Sequence, residues 1–299
     1  MRKRLWTALL VVVLVLAVAG TAGAITWGQP DGDGHPNVVQ ILFIQDGVGY
    51  WGCSGTLLTP YVVLTAGHCT GWIDYDTGTL YGNDATWVRN DPDIGAAITA
   101  ELPGYPTTLA WLNATWTTGT AVPHPQYADY AGFPDTFDIG VVLLDEAIPV
   151  DEYGALPTLG QFDYLRTAKM APRFRQVMDV GYGLVGKIPA FADDAIWARY
   201  YGYSTIINTG ASANVGDQNF MYTNNPGRGV GPGGTCSGDS GGPAFWIDPA
   251  TRETTNIIIG VNSYGIAPLC NGNDYQFRTD TAVALNFIDD VTDGLTWTP

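Results

Sequence analysis

The sequence predicts an all-β protein, and three observations support that class. Short apolar runs of strand length recur along the 299 residues, separated by turn residues. Glycine and proline number 38 and 19, as expected when many strands are joined by turns. No long amphipathic helical pattern dominates, and near-helical apolar spacing is found at the end of the chain, from Thr281 to Val291.

Composition places the chain among packed globular proteins. Hydrophobic residues make up 46% and charged residues 14%, and the length allows one large or two small domains. The net charge of −16 comes from 13 basic and 29 acidic residues. Such a surface repels nucleic acid and anionic lipid, so we expect neither as a partner.

The amino terminus has the pattern of a secretory signal peptide. Arg2-Lys3-Arg4 precedes an apolar run over residues 8–19, and Ala22-Gly23-Ala24 fits the small-residue cleavage rule. An uncleaved membrane anchor is the alternative, but the apolar run is shorter than a full span. We therefore expect residues 1–24 to be removed, giving a secreted, extracellular protein without stable membrane association.

The first half contains strand patterns at residues 38–44, 50–58 and 61–64. Cys53 lies within the second of them and Cys69 follows the third. Two further cysteines, Cys236 and Cys270, lie in the second half. In a secreted chain, four cysteines predict two disulfides, which can be paired in three ways.

The second half contains further strand patterns at residues 177–184, 203–207, 244–247 and 257–261, followed by the helical pattern of residues 281–291. Pattern alone therefore predicts an all-β chain with a C-terminal helix.

A candidate nucleophile lies in the glycine-rich segment of residues 235–243. Ser240 stands between glycines and directly follows Asp239. Glycines let a backbone turn sharply and bring its N–H groups close to a ligand. A serine hydroxyl also needs a neighbouring base and a site for negative charge. By itself the segment is equally consistent with an ordinary glycine-rich turn.

Two other segments supply the partners that such a serine needs. His68 follows a strand pattern, and Asp138 directly precedes the buried-strand pattern of residues 139–144. The order of histidine, aspartate and serine matches one type of catalytic triad. The nucleophile elbow of α/β-hydrolases needs its histidine after the serine, whereas all three histidines here precede Ser240.

These segments together resemble the trypsin/chymotrypsin-type serine proteases. The matching segments, which occur in the family's order, are residues 64–69, 137–144, 180–183, 235–243 and 260–265. One small departure is Gly67, where the family usually has alanine. His35 and His124 have no catalytic counterpart in the resemblance, and the histidines are not clustered as a zinc site would require.

The resemblance implies two antiparallel Greek-key barrels of six strands with a C-terminal helix. Residues 25–160 would form the first barrel and carry His68 and Asp138. Residues 161–299 would form the second barrel and carry Ser240. It also favours the disulfide pairs Cys53–Cys69 and Cys236–Cys270. Between His68 and Asp138 the chain is longer than usual for the family, which implies enlarged loops over residues 71–137.

The resemblance also implies roles for the site residues. His68 would act as the base that Asp138 orients, and the N–H groups of Gly238 and Ser240 would bind the oxyanion. A second set would bind substrate: Gly234, Ser263, Tyr264 and Gly265. Gly234 lies where the family places the floor of the primary pocket, which predicts a neutral, apolar pocket. An acid reaching in from near Asp274 would reverse that preference.

The new terminus left by signal cleavage would be Ile25. In the family a freed amine of this kind pairs with the acid before the catalytic serine, which is Asp239 here. We therefore expect Ile25 and Asp239 to form a buried ion pair that orders the oxyanion loop.

The function predicted is a monomeric serine endopeptidase acting on protein or peptide substrates without a metal or cofactor. Two alternatives are open: an inactive binding protein that keeps the fold, and an esterase that uses the same triad.

Overall fold

Two closed antiparallel barrels of six strands each make up the fold. The fold is seen in a computed structural model that describes residues 25, 28–168, 170–171, 174–184, 197–210, 212–224, 233–267 and 270–292. The predicted signal peptide lies outside these residues. The predicted fold of two six-stranded barrels with a C-terminal helix is confirmed.

The strands of the first barrel are β2 (Val38–Gln45), β3 (Val48–Thr59), β4 (Val62–Thr65), β7 (Ala85–Arg89), β8 (Thr117–Pro123) and β9 (Gly140–Leu144). Their order is β2-β3-β4-β9-β8-β7, and the barrel closes between β7 and β2. A hairpin of β5 (Gly71–Asp74) and β6 (Thr79–Gly82) lies outside this barrel.

The second barrel repeats the same connectivity. Its strands are β10 (Gln176–Gly181), β11 (Tyr200–Asn208), β12 (Asn219–Thr223), β13 (Pro243–Ile247), β14 (Thr254–Gly265) and β15 (Asn273–Arg278). The order runs β11-β10-β13-β14-β15-β12, and the β11–β12 pairing closes it. The short β1 (Gln29–Pro30) pairs with Tyr200 and Tyr201 at the start of β11 and joins the amino-terminal segment to this barrel.

Both faces of the central strands are buried, which explains why their sequences read as continuous apolar runs rather than alternating ones. In β2, Val39 and Ile41 lie in the core of the first barrel, whereas Val38 and Leu42 belong to a second cluster. That second cluster includes Phe245 and Val261 of the second barrel. The barrels therefore pack against each other through the outward faces of their strands.

The segment between His68 and Asp138 contains more regular structure than its sequence indicated. Besides strands β5 to β8, it forms helices α1 (Ile94–Glu101) and α2 (Thr108–Thr115), each begun by a side-chain cap, Asp93 and Thr107 respectively. Trp111 and Trp116 of this segment are buried in the cluster shared by the two barrels. The enlarged loops thus form part of the core.

Two helices accompany the second barrel, α3 (Asp163–Thr167) and α4 (Ala282–Thr292). The C-terminal helix α4 covers most of the predicted helical pattern and buries Ala284, Phe287 and Ile288. No helix in the described part of the chain is long and apolar enough to span a membrane.

Arg199 joins the amino-terminal segment to both barrels. Its buried guanidinium donates to the Asp31 carboxylate at 2.7 Å and to the main-chain oxygens of Gly32 and Val38 at 2.6 and 3.0 Å. It also donates to the Tyr182 hydroxyl at 3.0 Å. Because a buried charge is stable only when it is paired and hydrogen-bonded, these contacts set the path of the segment that follows Ile25.

Candidate active site

A cleft of about 1170 Å³ is lined by residues of both barrels and contains His68, Asp138 and Ser240. Neither of the other two histidines lines it. His124 is buried against Phe137 and Phe287, and His35 bonds Asp31. The structure thus brings together the three residues that the sequence singled out as a triad.

His68 lies in the 3₁₀ turn Gly67–Cys69, two residues after β4. The disulfide Cys53–Cys69 ties this turn to β3, which confirms the first predicted pair. The sulfurs of this disulfide lie near the imidazole, but a disulfide has no thiolate to offer a metal ion. Strand β4 before the turn and the disulfide after His68 therefore hold the turn in place.

Asp138 holds the imidazole in place. Its carboxylate lies 2.9 Å from His68 Nδ1 and accepts the main-chain N–H of His68 at 2.9 Å. The Ser263 hydroxyl donates to it at 2.6 Å. Asp138 is only 3% exposed, and burial opposes its charge, but the charge and hydrogen bonds of His68 and Ser263 keep its pKa below 3.8.

The same pair shifts the imidazole in the opposite direction. Burial alone would lower the pKa of His68, but the Asp138 carboxylate outweighs it and raises that pKa above 6.5. With Nδ1 facing Asp138, the other ring nitrogen, Nε2, is free to act as a base. The pair is therefore built to accept a proton from a group in the cleft.

Gly67 leaves room for this arrangement. A Cβ at this position would lie 2.9 Å from the Tyr127 ring and 3.1 Å from Asp138 Oδ1, both closer than normal packing allows. The glycine that departs from the family pattern thus accommodates a buried tyrosine beside the carboxylate.

Ser240 lies in a tight loop whose shape depends on glycines. Gly238 and Gly241 have φ of +96° and +76°, a region that favours glycine. The disulfide Cys236–Cys270 anchors the start of this loop and confirms the second predicted pair. Among the described residues, the His68 ring bonds Asp138 and not the Ser240 hydroxyl. The contact between a base and its serine often tightens only when substrate binds.

The main-chain N–H groups of Gly238 and Ser240 differ from those of their neighbours in the loop. The neighbouring amides are all engaged within the protein: those of Asp239, Gly241 and Gly242 donate to main-chain oxygens. Among the hydrogen bonds of the described residues, the N–H groups of Gly238 and Ser240 have no acceptor. Two adjacent free donors beside a serine can bind a developing negative charge.

Asp239 is the buried centre of this loop. Its carboxylate accepts the N–H groups of Gly183 at 2.8 Å and Cys236 at 2.9 Å, and the main-chain amide of Ile25 also bonds it. Ile25 is fully buried beside Ala198 and Tyr200. Burial raises the pKa of Asp239 to about 7 against the opposing effect of these amides. The structure thus places the predicted pair, Ile25 and Asp239, in contact.

Three of the four predicted substrate-binding residues line the same cleft, and Gly234 is not among its lining residues. Ser263, Tyr264 and Gly265 line it and lie at the end of β14. Gly234 is buried against Asn224, where a Cβ would lie 2.7 Å from its amide oxygen. Ser263 has a contact that the sequence reasoning did not assign, because its hydroxyl orients Asp138 rather than facing substrate alone.

The sequence indicates Asp274 only as an acid whose approach would reverse the predicted neutral preference of the pocket. In the structure Asp274 lines the cleft and is 6% exposed. Its Oδ2 accepts from Asn224 Nδ2 at 2.6 Å and from Thr235 Oγ1 at 2.8 Å. The carboxylate fills the space that a side chain at Gly265 would need. Gly234 itself carries no charge, but a buried carboxylate such as that of Asp274 is not expected in the lining of a neutral pocket.

The comparisons with known proteins agree with this geometry. The sequence model of the trypsin family matches residues 117–288, more than half of the chain, and the chain belongs to the trypsin family of serine proteases. The solved structure of HL collagenase is similar in fold, with 15% identity and a TM-score of 0.57. That match covers 91% of this chain and 97% of the collagenase chain. No curated protein matches the sequence.

The buried acids of the second barrel predict a pH-dependent stability. Burial is the main cause that raises the pKa of Asp179 to about 8 and that of Asp274 to about 6. Each folded-state pKa lies above 3.8, the ordinary value for an aspartate, so the stability contributed by protonation is complete below about pH 4. We therefore expect the free energy of unfolding to fall as the pH rises from about 4 to about 8.

Urea unfolding over a pH series measures this dependence, with Asp179→Asn as the matched variant. Asparagine cannot ionise, so the variant should lose stability less steeply than the wild type, most clearly in the upper half of the window. Parallel pH profiles for the two proteins would contradict the assignment.

Proposed function

We propose that this protein is a secreted serine endopeptidase in which Ser240 is the nucleophile, His68 the general base and Asp138 the residue that orients it. One observation carries the proposal: the His68–Asp138 pair shares a cleft with Ser240, and the N–H groups of Ser240 and of Gly238 in the same loop have no acceptor among the described residues. An imidazole, a buried carboxylate and an oxyanion site are the groups that activate a serine hydroxyl.

The reaction follows from these positions. As Ser240 Oγ bonds to the scissile carbonyl carbon, its proton moves to His68 Nε2, and the carbonyl oxygen takes its negative charge toward the N–H groups of Gly238 and Ser240. Asp138 stabilises the imidazolium. The C–N bond then breaks, and the leaving amine takes the proton from His68. Water attacks the acyl-enzyme by the same route, which releases the acid and restores Ser240.

The end of β14 supports binding of an extended peptide. Up to Val261 this strand pairs with β13, but Ser263, Tyr264 and Gly265 lie beyond that pairing. On their other side β15 pairs with Tyr264 and Gly265. One edge of this short segment is therefore left for a substrate backbone, which would add to the sheet as a further strand.

An esterase would use the same groups, because acylation of a serine does not require an amide substrate. The open strand edge at residues 263–265 favours a peptide, since that edge recognises a backbone. An inactive binding protein is the other alternative, but no member of the proposed triad has been replaced in this chain.

We predict that removing either proton-transfer partner abolishes turnover. Ser240→Ala and His68→Ala should each lower kcat for a peptide substrate by roughly 10⁴-fold or more, and Asp138→Asn by about 10⁴-fold. A fluorophosphonate probe should label the wild type at Ser240 and leave Ser240→Ala unlabelled, whereas Ser237→Ala, which removes a neighbouring cleft hydroxyl, should still be labelled. Failure of the wild type to react would leave only the binding-protein alternative. Ester turnover without peptide turnover would indicate an esterase.

The amino terminus forms part of the same proposal. Signal cleavage after Ala24 would place a free ammonium at Ile25, whose main-chain nitrogen already contacts Asp239. A positive charge there would offset the burial cost that raises the Asp239 pKa to about 7 and would keep the oxyanion loop ordered at neutral pH. Export and the two disulfides agree with an oxidising, extracellular location.

N-terminal sequencing of the exported protein should therefore give Ile25 as the first residue. The physical reason is that the pocket beside Asp239 holds this residue and its main-chain nitrogen. As a control, a mature chain extended by one residue before Ile25 should show a lower kcat, since its terminal ammonium would lie outside the pocket beside Asp239. A mature start well away from Ile25 would refute this step and leave the triad unaffected.

For the primary pocket, the geometry argues against the neutral preference predicted from Gly234. Asp274 offers a buried carboxylate whose Oδ2 is occupied by Asn224 and Thr235, while Oδ1 has no donor among the described residues. Apolar groups that line the same cleft, including Ala267 and the Cys236–Cys270 disulfide, would contact the stem of a long side chain. We propose that the pocket accepts lysine or arginine, with the cation at Asp274.

The cleft as a whole is acidic. Of the described residues that line it, none is lysine or arginine. Six are aspartates: Asp46, Asp74, Asp76, Asp129, Asp138 and Asp274. A cleft lined by one sign of charge raises the local concentration of oppositely charged ligands, so basic substrates should bind fastest at low ionic strength.

We predict that the wild type cleaves peptides after arginine faster than after leucine. Asp274→Asn should lower kcat/KM for the arginine peptide by roughly 30-fold or more, because one partner of a buried charge pair is lost, and should change the leucine peptide little. Asp129→Asn, which removes the same charge from the cleft rim, is the matched control and should have a small effect. Equal loss for both peptides in Asp274→Asn would point to a structural role instead.

A further inference from the structure

The loop that presents Ser240 belongs to the second barrel, yet one residue of the first barrel supports it. Ser54 follows Cys53 on β3 and points away from the core of its own barrel, in which Cys53 lies. Its side chain is fully buried. The glycine-rich sequence around Ser240 carries no indication of this partner.

The hydroxyl of Ser54 makes two hydrogen bonds with segments far away along the chain. It donates to the main-chain oxygen of Gly238 at 2.9 Å and accepts the main-chain N–H of Tyr182 at 2.9 Å. The main-chain N–H of Ser54 also donates to the carbonyl oxygen of Ser240 at 2.8 Å. One residue thus binds the carbonyl groups of both proposed oxyanion-site residues.

These hydrogen bonds restrain the directions in which the free N–H groups of Gly238 and Ser240 point. The Gly238 carbonyl belongs to the peptide group between Gly238 and Asp239, and the Ser240 carbonyl to the peptide group that follows the serine. Holding both carbonyls restrains the rotation of Gly238 and Ser240 about their backbone bonds. Gly238, at φ +96°, has no side chain of its own to restrain it.

The packing around Ser54 agrees with a dedicated contact. A Cβ at Gly181 would lie 3.2 Å from Ser54 Oγ, and a Cβ at Gly242 would lie 3.2 Å from Ser54 Cβ. Larger side chains at either position would press on Ser54. Without the hydroxyl, the Gly238 oxygen and the Tyr182 N–H would lose their partner in a buried place, which favours a shift of the loop.

We propose that Ser54 is a positioning residue that holds the N–H groups of Gly238 and Ser240 in the direction needed to bind the oxyanion. The role rests on the proposed function, since it matters for catalysis only if Ser240 is the nucleophile. Ser54 does not touch the reacting atoms and acts through the loop. Its loss should therefore weaken stabilisation of the transition state more than binding of the substrate.

The test compares Ser54→Ala with the wild type and with Thr279→Val. Thr279 is also fully buried, and its hydroxyl donates to the main-chain oxygen of Ile258, outside the cleft. Removing a whole oxyanion donor costs about 10²- to 10³-fold in kcat, so misdirected donors in Ser54→Ala should cost roughly 10- to 100-fold, with KM nearly unchanged. Thr279→Val should lower the urea midpoint and leave kcat unchanged.

The affinity of a peptide boronic acid is a second measurement, because the adduct of the boronic acid with Ser240 is tetrahedral and places an oxygen at the oxyanion site. Its affinity should fall in Ser54→Ala by about the same factor as kcat/KM, while a non-covalent peptide product binds as in the wild type. Loss of stability without either change would overturn the proposal, since it would show a purely structural hydroxyl.

Hydrogen exchange separates this inference from the proposed function. In a Ser240→Ala background, amides of the loop spanning residues 236–242 should exchange faster when Ser54→Ala is added, whether or not the protein is an enzyme. An inactive wild type with this faster exchange would refute the proposed function and leave the loop contact standing. Unchanged exchange together with unchanged kcat would refute the role of Ser54.

Discussion

The site depends on the packing of two barrels that each have a core of their own. Apolar residues pointing out of both barrels form one shared cluster, which includes Leu42 and Phe245. That packing brings His68 and Asp138 from one barrel to the cleft of Ser240 on the other. The hydrogen bonds of Ser54 and Ser263 cross the same boundary, so the directions of the proposed catalytic groups depend on how the barrels meet.

Buried carboxylates are concentrated in the second barrel and have different surroundings. Asp239 is surrounded by main-chain amides, Asp179 accepts from Gln276, and Asp274 faces the cleft. Burial raises the pKa of all three, whereas Asp138, beside an imidazole, has a lowered pKa. The difference follows from the partners, because a nearby cation favours the charged form and burial alone disfavours it.

The sequence predicted much of this arrangement and missed particular parts for identifiable reasons. The strands around His68 and Ser240, the C-terminal helix and both disulfides were predicted, because short apolar runs, spacing and the family's motifs are local features. Helices α1 and α2 were missed, because their hydrophobic patterns are weakly amphipathic and the resemblance implied only enlarged loops over residues 71–137. Strands β12 and β15 were missed because polar residues, such as Asn219 and Gln276, are buried within them.

The site shows the same division. His68, Asp138 and Ser240 could be selected from the sequence because each stands in a motif whose chemistry requires it. Ser54 could not, because a serine after a cysteine in a strand has no local signal, and its partners lie 128 and 184 residues away. The sequence by itself determined the strands around His68 and Ser240 and the candidate triad, and its resemblance to the family favoured the disulfide pairs. The tertiary structure decided which buried side chains bond the loop around Ser240 and which buried carboxylate of the second barrel lines the cleft, because those contacts form only after distant segments pack together.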